Sequence, residues 1–294
     1  MPWKPIIAGV SESAESAWAA TVAWNIAQAA ETTCHLIHAS GQAADIPVWA
    51  QTLVDIDELE ANLTVGARRQ VEEHLLGNVP FESLEHLEVR LGKPKWVLAR
   101  AAKEKDAGLL VLGGKQGSGR RFGGSTAFHV VQSVDVPTLI VVPSGREPER
   151  VLAAVDLSHA AWPTIAAARQ VADFIGAKLK LIHVVEPMPD IPSYTIDLPE
   201  EQNIKRATDQ FEQIVQPLIS GSDIVTEVVS GSAEATIARQ AAEWSADIVV
   251  IGSHGKGWVE RILLGSTTQK LIRNMPASLL VVPVSEPGAP ESQQ

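Results

Sequence analysis

The stretch VVSGSAEATIARQAAEWSADIVVIGS, residues 228–253, changes character twice. It leaves a β-branched run that starts near 224, reads as a helix over 233–244, and closes on the apolar run DIVVIG. That closing run is apolar on both faces, as a strand covered by helices on both sides must be. Strand, helix and strand in alternation imply a parallel sheet with right-handed crossovers. The alternation extends outward in both directions. Strands are expected near 151–155, 179–185, 224–229, 247–251 and 279–283, and helices near 160–175, 199–219, 233–244 and 266–274. Ala161, Ile165, Ala168, Val171 and Ala172 recur at three- and four-residue steps, which suits an amphipathic helix. The expected fold is a doubly wound, Rossmann-like α/β domain with a five-stranded parallel sheet.

The chain carries this pattern twice. VRLGKPKWVLARAAKEKDAGLLVLGG (89–114) lies over the opening stretch at an offset of 139. PIIAGVSES (5–13) lies over RVLAAVDLS (150–158), and CHLIHAS (34–40) over LKLIHVVEP (179–187), both at an offset of 145, with His38 opposite His183. GST recurs at 124–126 and 265–267, and TLIVVP matches SLLVVP. A period of half the chain means a duplicated domain, not a solenoid. The expected domains are 1–144 and 151–284, joined by the polar connection SGREPER (144–150) and followed by a flexible tail, 285–294. The last strand of each half is a candidate edge for pairing the halves as an internal pseudo-dimer, and a homodimer of whole chains is a further option.

Composition narrows the partners. The 294 residues include 24 basic and 35 acidic side chains, a net charge of −11. Such a field repels nucleic acid and anionic lipid surfaces, so neither is an expected partner. No run approaches the roughly 20 apolar residues of a membrane span, and MPWKPIIAGV lacks the apolar core of a signal peptide. The expectation is a soluble cytoplasmic protein. Cys34, the single cysteine, lies in an apolar strand and reads as a buried thiol. Trp18, Trp24 and Trp162 lie in helical text and read as core or interface residues.

Ligands in such sheets bind beyond the carboxyl ends of the strands, where strand order reverses. AAVDLSH puts Asp156 at the tip of the first strand of the second half, and VIGSHGKGWVERILLGST (250–267) follows its fourth. Gly252 and Gly255 let backbone approach a ligand, and Ser266 or Thr267 opens the last helix, where free amides and the helix dipole favour phosphate. The stretch has two readings, an anion cradle or a glycine-rich turn with an ordinary N-cap; Asp156 on the facing tip adds weight to the first. Asp156 has its own second role, capping a helix that starts near Ser158. GGK (113–115) and HGKG (254–257) lack P-loop spacing. HLIH (35–38) places its histidines on opposite strand faces, which argues against a zinc site. No Ser, His and Asp grouping suggests nucleophilic catalysis.

These residues resemble the universal stress protein family, whose ATP-binding members carry G, two residues, G, nine residues, then G followed by S or T. Gly252, Gly255, Gly265 and Ser266 match that spacing, the strand-one Asp is Asp156, and HVVE (183–186) is similar to the segment that covers adenine. The resemblance spans both halves, as in a tandem universal stress protein. It implies that Asp156 and the backbone of Val155 hold adenine or ribose, and that Val184 or Val185 packs on the base. It also implies that Gly252, His254 and Gly255 line the ribose and α/β phosphates, and that Gly265, Ser266 and Thr267 bind the β/γ phosphates. Lys256 and Arg261 are either further phosphate contacts or solvated surface. Mg2+ would accompany ATP without a dedicated protein cage.

The first half departs from the pattern. Ser11 replaces Asp156, Gln116 replaces Gly255, and Gly113 to Gly124 spans eleven positions against thirteen from Gly252 to Gly265. Arg120 and Arg121 add charge there, and Gly117 is a partial substitute for the lost glycine. Three functions are compatible with the sequence. One is an ATP-binding regulatory or protective stress protein with slow or no hydrolysis. The others are a nucleotide-independent interaction scaffold and a slow ATPase or nucleotidyl-transfer enzyme. No general base or carboxylate pair for two metals is evident, so the expectation is a non-enzyme, at most a weak ATPase.

Overall fold

The computed structural model describes residues 4–41, 55–115, 125–158, 161–187, 200–219, 223–253 and 264–283. The chain divides into two compact units, Met1–Pro143 and Ser144–Gln294.

The first unit contains β1 (Ile6–Val10), α1 (Ala14–Ala29), β2 (Cys34–Ser40), α2 (Ile56–Leu75), the single-turn α3 (Phe81–Leu84), β3 (Leu87–Leu91), α4 (Pro94–Glu104), β4 (Leu109–Gly113), α5 (Ser125–Val131) and β5 (Thr138–Val141). Its strands run β3-β2-β1-β4-β5, all parallel. Local chemistry sets the helix starts. Ser13 Oγ accepts from the amide of Ser16 at 3.2 Å to open α1, and Asp55 Oδ1 accepts from Asp57 N at 3.0 Å and Glu58 N at 3.2 Å to open α2. Pro94 opens α4, where its missing N–H costs no helical bond.

The second unit contains β6 (Arg150–Ala154), α6 (Ala161–Ile175), β7 (Lys178–Val185), α7 (Glu200–Ile219), β8 (Val225–Ser230), α8 (Ala233–Trp244), β9 (Ile248–Gly252), α9 (Ser266–Arg273) and β10 (Ser278–Val282). Its strands repeat the same order, β8-β7-β6-β9-β10, all parallel. Each bound lies within one residue of the sequence expectation. The buried stripe of α6 is Ala161, Thr164, Ile165, Ala168 and Ala172. Val171 turns half out and Thr164 takes its place inside, because the stripe follows the 3.6-residue period. Trp162 is 52% exposed, so of its two expected places, core or interface, the core is excluded; it precedes Thr164 by two positions, which puts it off the buried stripe.

The duplication is visible bond by bond. Gly108 N donates to Pro5 O, and Asp247 N to Arg150 O, both at 2.9 Å. Gly114 N donates to Val141 O, and Ser253 N to Val282 O, both at 2.8 Å. His38 Nδ1 donates to Val10 O and His183 Nδ1 to Val155 O, again both at 2.8 Å. Each core is a sheet clamped between helices, with Ile6, Leu36, Leu110 and Ile140 fully buried in the first unit and Leu152, Leu181 and Ile182 in the second. The segment 144–150 is held against the second unit. Asp247, 4% exposed, pairs with Arg146 at 2.7 Å and accepts from Glu149 N at 2.8 Å and Arg150 N at 3.0 Å. No helix among the described residues is long and apolar enough to cross a membrane.

Candidate functional site

In the second unit the chain steps from β6 outward through β7 to β8, then returns to β9 on the other side of β6. The carboxyl ends of β6 and β9 therefore diverge into a crevice. A cavity of about 680 Å³ lies there, lined among others by Val155, Asp156, Val184, Val185, Gly252 and Gly265. Its volume falls within the roughly 300–1,000 Å³ of small-molecule sites.

Asp156 stands just past β6. Its Oδ1 accepts from Ser158 Oγ at 2.7 Å and from Ser158 N at 3.4 Å. The carboxylate thus braces the turn after the strand, and Ser158 O in turn accepts from Ala161 N at 3.1 Å, where the described part of α6 begins. The other oxygen, Oδ2, is buried and has no hydrogen-bond partner among the described residues. An unpaired buried oxygen costs about 1–3 kcal/mol, so a donor supplied by a ligand would recover that energy.

Val155 has little left to offer. Its N–H donates to Ile182 O at 2.8 Å, and its carbonyl accepts the His183 imidazole at 2.8 Å. Only the second lone pair of that carbonyl is free for a ligand. Val184 and Val185 both line the cavity, on opposite faces of β7, as adjacent strand residues must. Val184 shares the face of Lys180, which binds Gln240 of α8, and Val185 that of His183, stacked on Phe211 of α7 at 6.0 Å.

The far wall is the end of β9 and the start of α9. Ser253 O accepts from Gly265 N at 2.9 Å, which ties the end of β9 to the start of α9. Thr268 Oγ1 donates to Gly252 O at 2.9 Å and anchors α9 to the strand end. Gly265 is the N-cap of α9 and supplies no side-chain cap. The first intrahelical bond is from Gln269 N to Gly265 O, so the amides of Ser266 and Thr267 keep no intrahelical partner. Ser266 and Thr267 line the cavity. His254 and Gly255, with Lys256 and Arg261, lie outside the described residues.

Several cavity residues were not singled out from the sequence. Thr268 is buried behind Gly265, and its signal was the third polar residue of STT. Glu186 Oε1 accepts from Ala233 N at 3.1 Å and so fixes the start of α8 beside the cavity. Asn203, Arg206 and Gln210 enter from α7, and nothing in their local sequence marks them.

The matching crevice of the first unit holds about 300 Å³. Ser11 sits where Asp156 does, and its N–H is satisfied by Ser16 Oγ at 2.6 Å. Glu15 and Lys115 both line this space and pair at 3.3 Å. Burial raises the Glu15 carboxyl pKa, but hydrogen bonds from its own backbone and from Lys115 outweigh that and hold it below the usual value. Helix α1 also presses on the strand end, where a Cβ at Gly113 would come within 2.5 Å of the Glu15 backbone. Gln116, Gly117, Arg120 and Arg121 lie outside the described residues.

A model of the universal stress protein family matches this chain twice, over residues 2–142 and 148–283. The chain is similar to a universal stress protein of Thermus aquaticus, 30% identical over 135 residues, which cover 45% of this chain and 96% of that protein. It is also similar to one of Mycolicibacterium smegmatis, 28% identical over 151 residues, 49% of this chain and 51% of that one. Among solved structures, a universal stress protein from Archaeoglobus fulgidus shares the fold, with a TM-score of 0.63 at 18% identity over 95% of this chain and 98% of that one.

Proposed function

The chain is a member of the universal stress protein family, with two copies of the domain in tandem, and from that premise we propose that its second unit binds ATP as a regulatory ligand. Hydrolysis is slow or absent in this reading. The observation that carries it is the buried, unpartnered Oδ2 of Asp156, on a cavity that also reaches Gly252 and the open amides of α9.

Each residue then has a task. Asp156 Oδ2 accepts from a ribose hydroxyl or the adenine amino group, and the free lone pair of Val155 O takes a second donor. Val184 or Val185 covers the base. Gly252 lets the backbone close on the ribose and phosphates, and Gly265, Ser266 and Thr267 meet the outer phosphates with amides and hydroxyls. His254 and Gly255 join this set through their motif spacing alone. Mg2+ would neutralise phosphate charge while bound chiefly by phosphate oxygens and water. An ATP ligand suits a cytoplasmic protein.

Thermal melting with ATP, ADP and GTP tests the reading. A ligand bound only by the folded state adds about 2.7 kcal/mol at a hundredfold excess over its Kd. Adenine nucleotides should raise Tm more than GTP does; no shift with any nucleotide would leave the scaffold reading in its place.

A further inference from the structure

The two cavities differ by more than their loops. The larger one is lined by a helix that has no counterpart in the smaller. Asn203, Arg206, Ala207 and Gln210 of α7 line the 680 Å³ cavity, whereas α2, the helix in the same position of the first unit, contributes no described residue to the 300 Å³ one. Ala207 is buried, and Asn203, Arg206 and Gln210 follow one helix face at steps of three and four. Among the described residues these three side chains make no hydrogen bond or ion pair, and Arg206 is the single Lys or Arg that lines the cavity.

Topology sets how far they stand from the phosphate end. Helix α7 packs on β7 and β8, while Gly252 ends β9, and β6 lies between β7 and β9. Two strand spacings of about 4.8 Å, on the order of 10 Å, separate β7 from β9; α7 packs on the His183 face of the sheet and α9 packs with α8 on the other, so the two approach one another across the carboxyl ends of the strands. Asp156, at the tip of β6, falls between them. A nucleotide with its phosphates at Ser266 and its ribose near Asp156 spans that distance with its base.

We infer that α7 reads the edge of the base: the carboxamides of Asn203 and Gln210 accept from the 6-amino group and donate to a ring nitrogen, and Arg206 adds a second donor. Carboxamides suit this task because each carries a donor and an acceptor side by side, the pairing that recognises adenine N6 and N7 in nucleic-acid complexes. Arg206 offers donors only, so it serves a ring nitrogen and not the amino group. This inference rests on nucleotide binding in the second unit.

The test is calorimetry on the whole chain with three probes: ATP, the triphosphate of purine riboside, which lacks the 6-amino group, and inorganic tripolyphosphate. Wild type should bind ATP at least tenfold more tightly than the amino-free analogue. The triple variant Asn203→Ala, Arg206→Ala, Gln210→Ala should lose that preference, with tripolyphosphate affinity unchanged. Retained tripolyphosphate binding also reports an intact fold. If ATP binds but the preference survives the triple variant, the base-reading role of α7 is wrong while the proposed function stands. If wild type binds neither ATP nor tripolyphosphate, both fall.

Discussion

Asp156 is braced on one side and exposed to need on the other. Ser158 holds Oδ1, which fixes the carboxylate in place, and Oδ2 has no hydrogen-bond partner among the described residues. Asp156→Ala should weaken ATP by roughly 1.5–3 kcal/mol, the worth of a hydrogen bond to a charged group, while the melting temperature without ligand changes little or rises. Lower stability with unchanged affinity would assign the residue to the turn alone. Thr268 acts at the same scale. Thr268→Val removes its bond to Gly252 O, which should cost about 0.5–1.5 kcal/mol in urea unfolding; Thr268→Ser should recover most of it. Cys34 makes the converse point. Burial pushes its thiol pKa up to about 12, so a thiol reagent at neutral pH should label it only after unfolding.

Single elements are held by contacts from neighbouring strands and helices. At the β2–β3 edge of the first unit, Glu88 meets Lys105 at 2.5 Å and Arg90 at 2.8 Å. Burial raises the Glu88 pKa, but the bonds from Lys105 and Arg90 outweigh it and hold the carboxyl below its ordinary 4.5. Nearby His35 is held below its ordinary 6.5 by burial and by the charge of Lys105, so its 3.9 Å contact with Glu88 is no ion pair at neutral pH. A carboxyl with a depressed folded pKa stabilises above its unfolded value and loses that contribution as pH falls through the folded value. The neutral form of His35 acts in the same direction, from about pH 6.5 downward. The stability gap between wild type and Glu88→Gln, measured by urea unfolding, should therefore be widest at pH 7 and shrink below about pH 4.5. A gap independent of pH would mean packing, not charge, is what Glu88 supplies. The turn into α8 depends on backbone freedom instead. Gly231 sits at φ +142°, with Thr236 Oγ1 2.5 Å from where a Cβ would be. Gly231→Ala should cost about 1–3 kcal/mol and, since its N–H bonds Val185 O beside the cavity, weaken the ligand site with it.

Across the whole molecule the duplicated units should be unequal in function. The second has the larger cavity, the free carboxylate oxygen and the thirteen-position loop. The first has less than half the volume, Ser11 with its amide satisfied, and a Glu15–Lys115 pair across the same space. Titration of the full chain should give one ATP per chain, and Asp156→Ala should remove most of that binding. Two equivalent ATP molecules per chain would overturn this.

The period, the duplication and the placement of the elements of the second unit were legible in the sequence, because alternating strand and helix text is a local property of the chain. The sequence also pointed to Asp156 and to the glycine spacing around Gly252 and Gly265. It did not reveal that the N–H of Val155 is already spent on Ile182, that Thr268 reaches back sixteen residues to Gly252, or that α7 lines the cavity. Those facts depend on which strands lie side by side and which helix faces meet them. Hydrogen bonds between residues far apart in the chain leave no periodic trace in it, so which atoms at the crevice are satisfied follows only from how strands and helices pack.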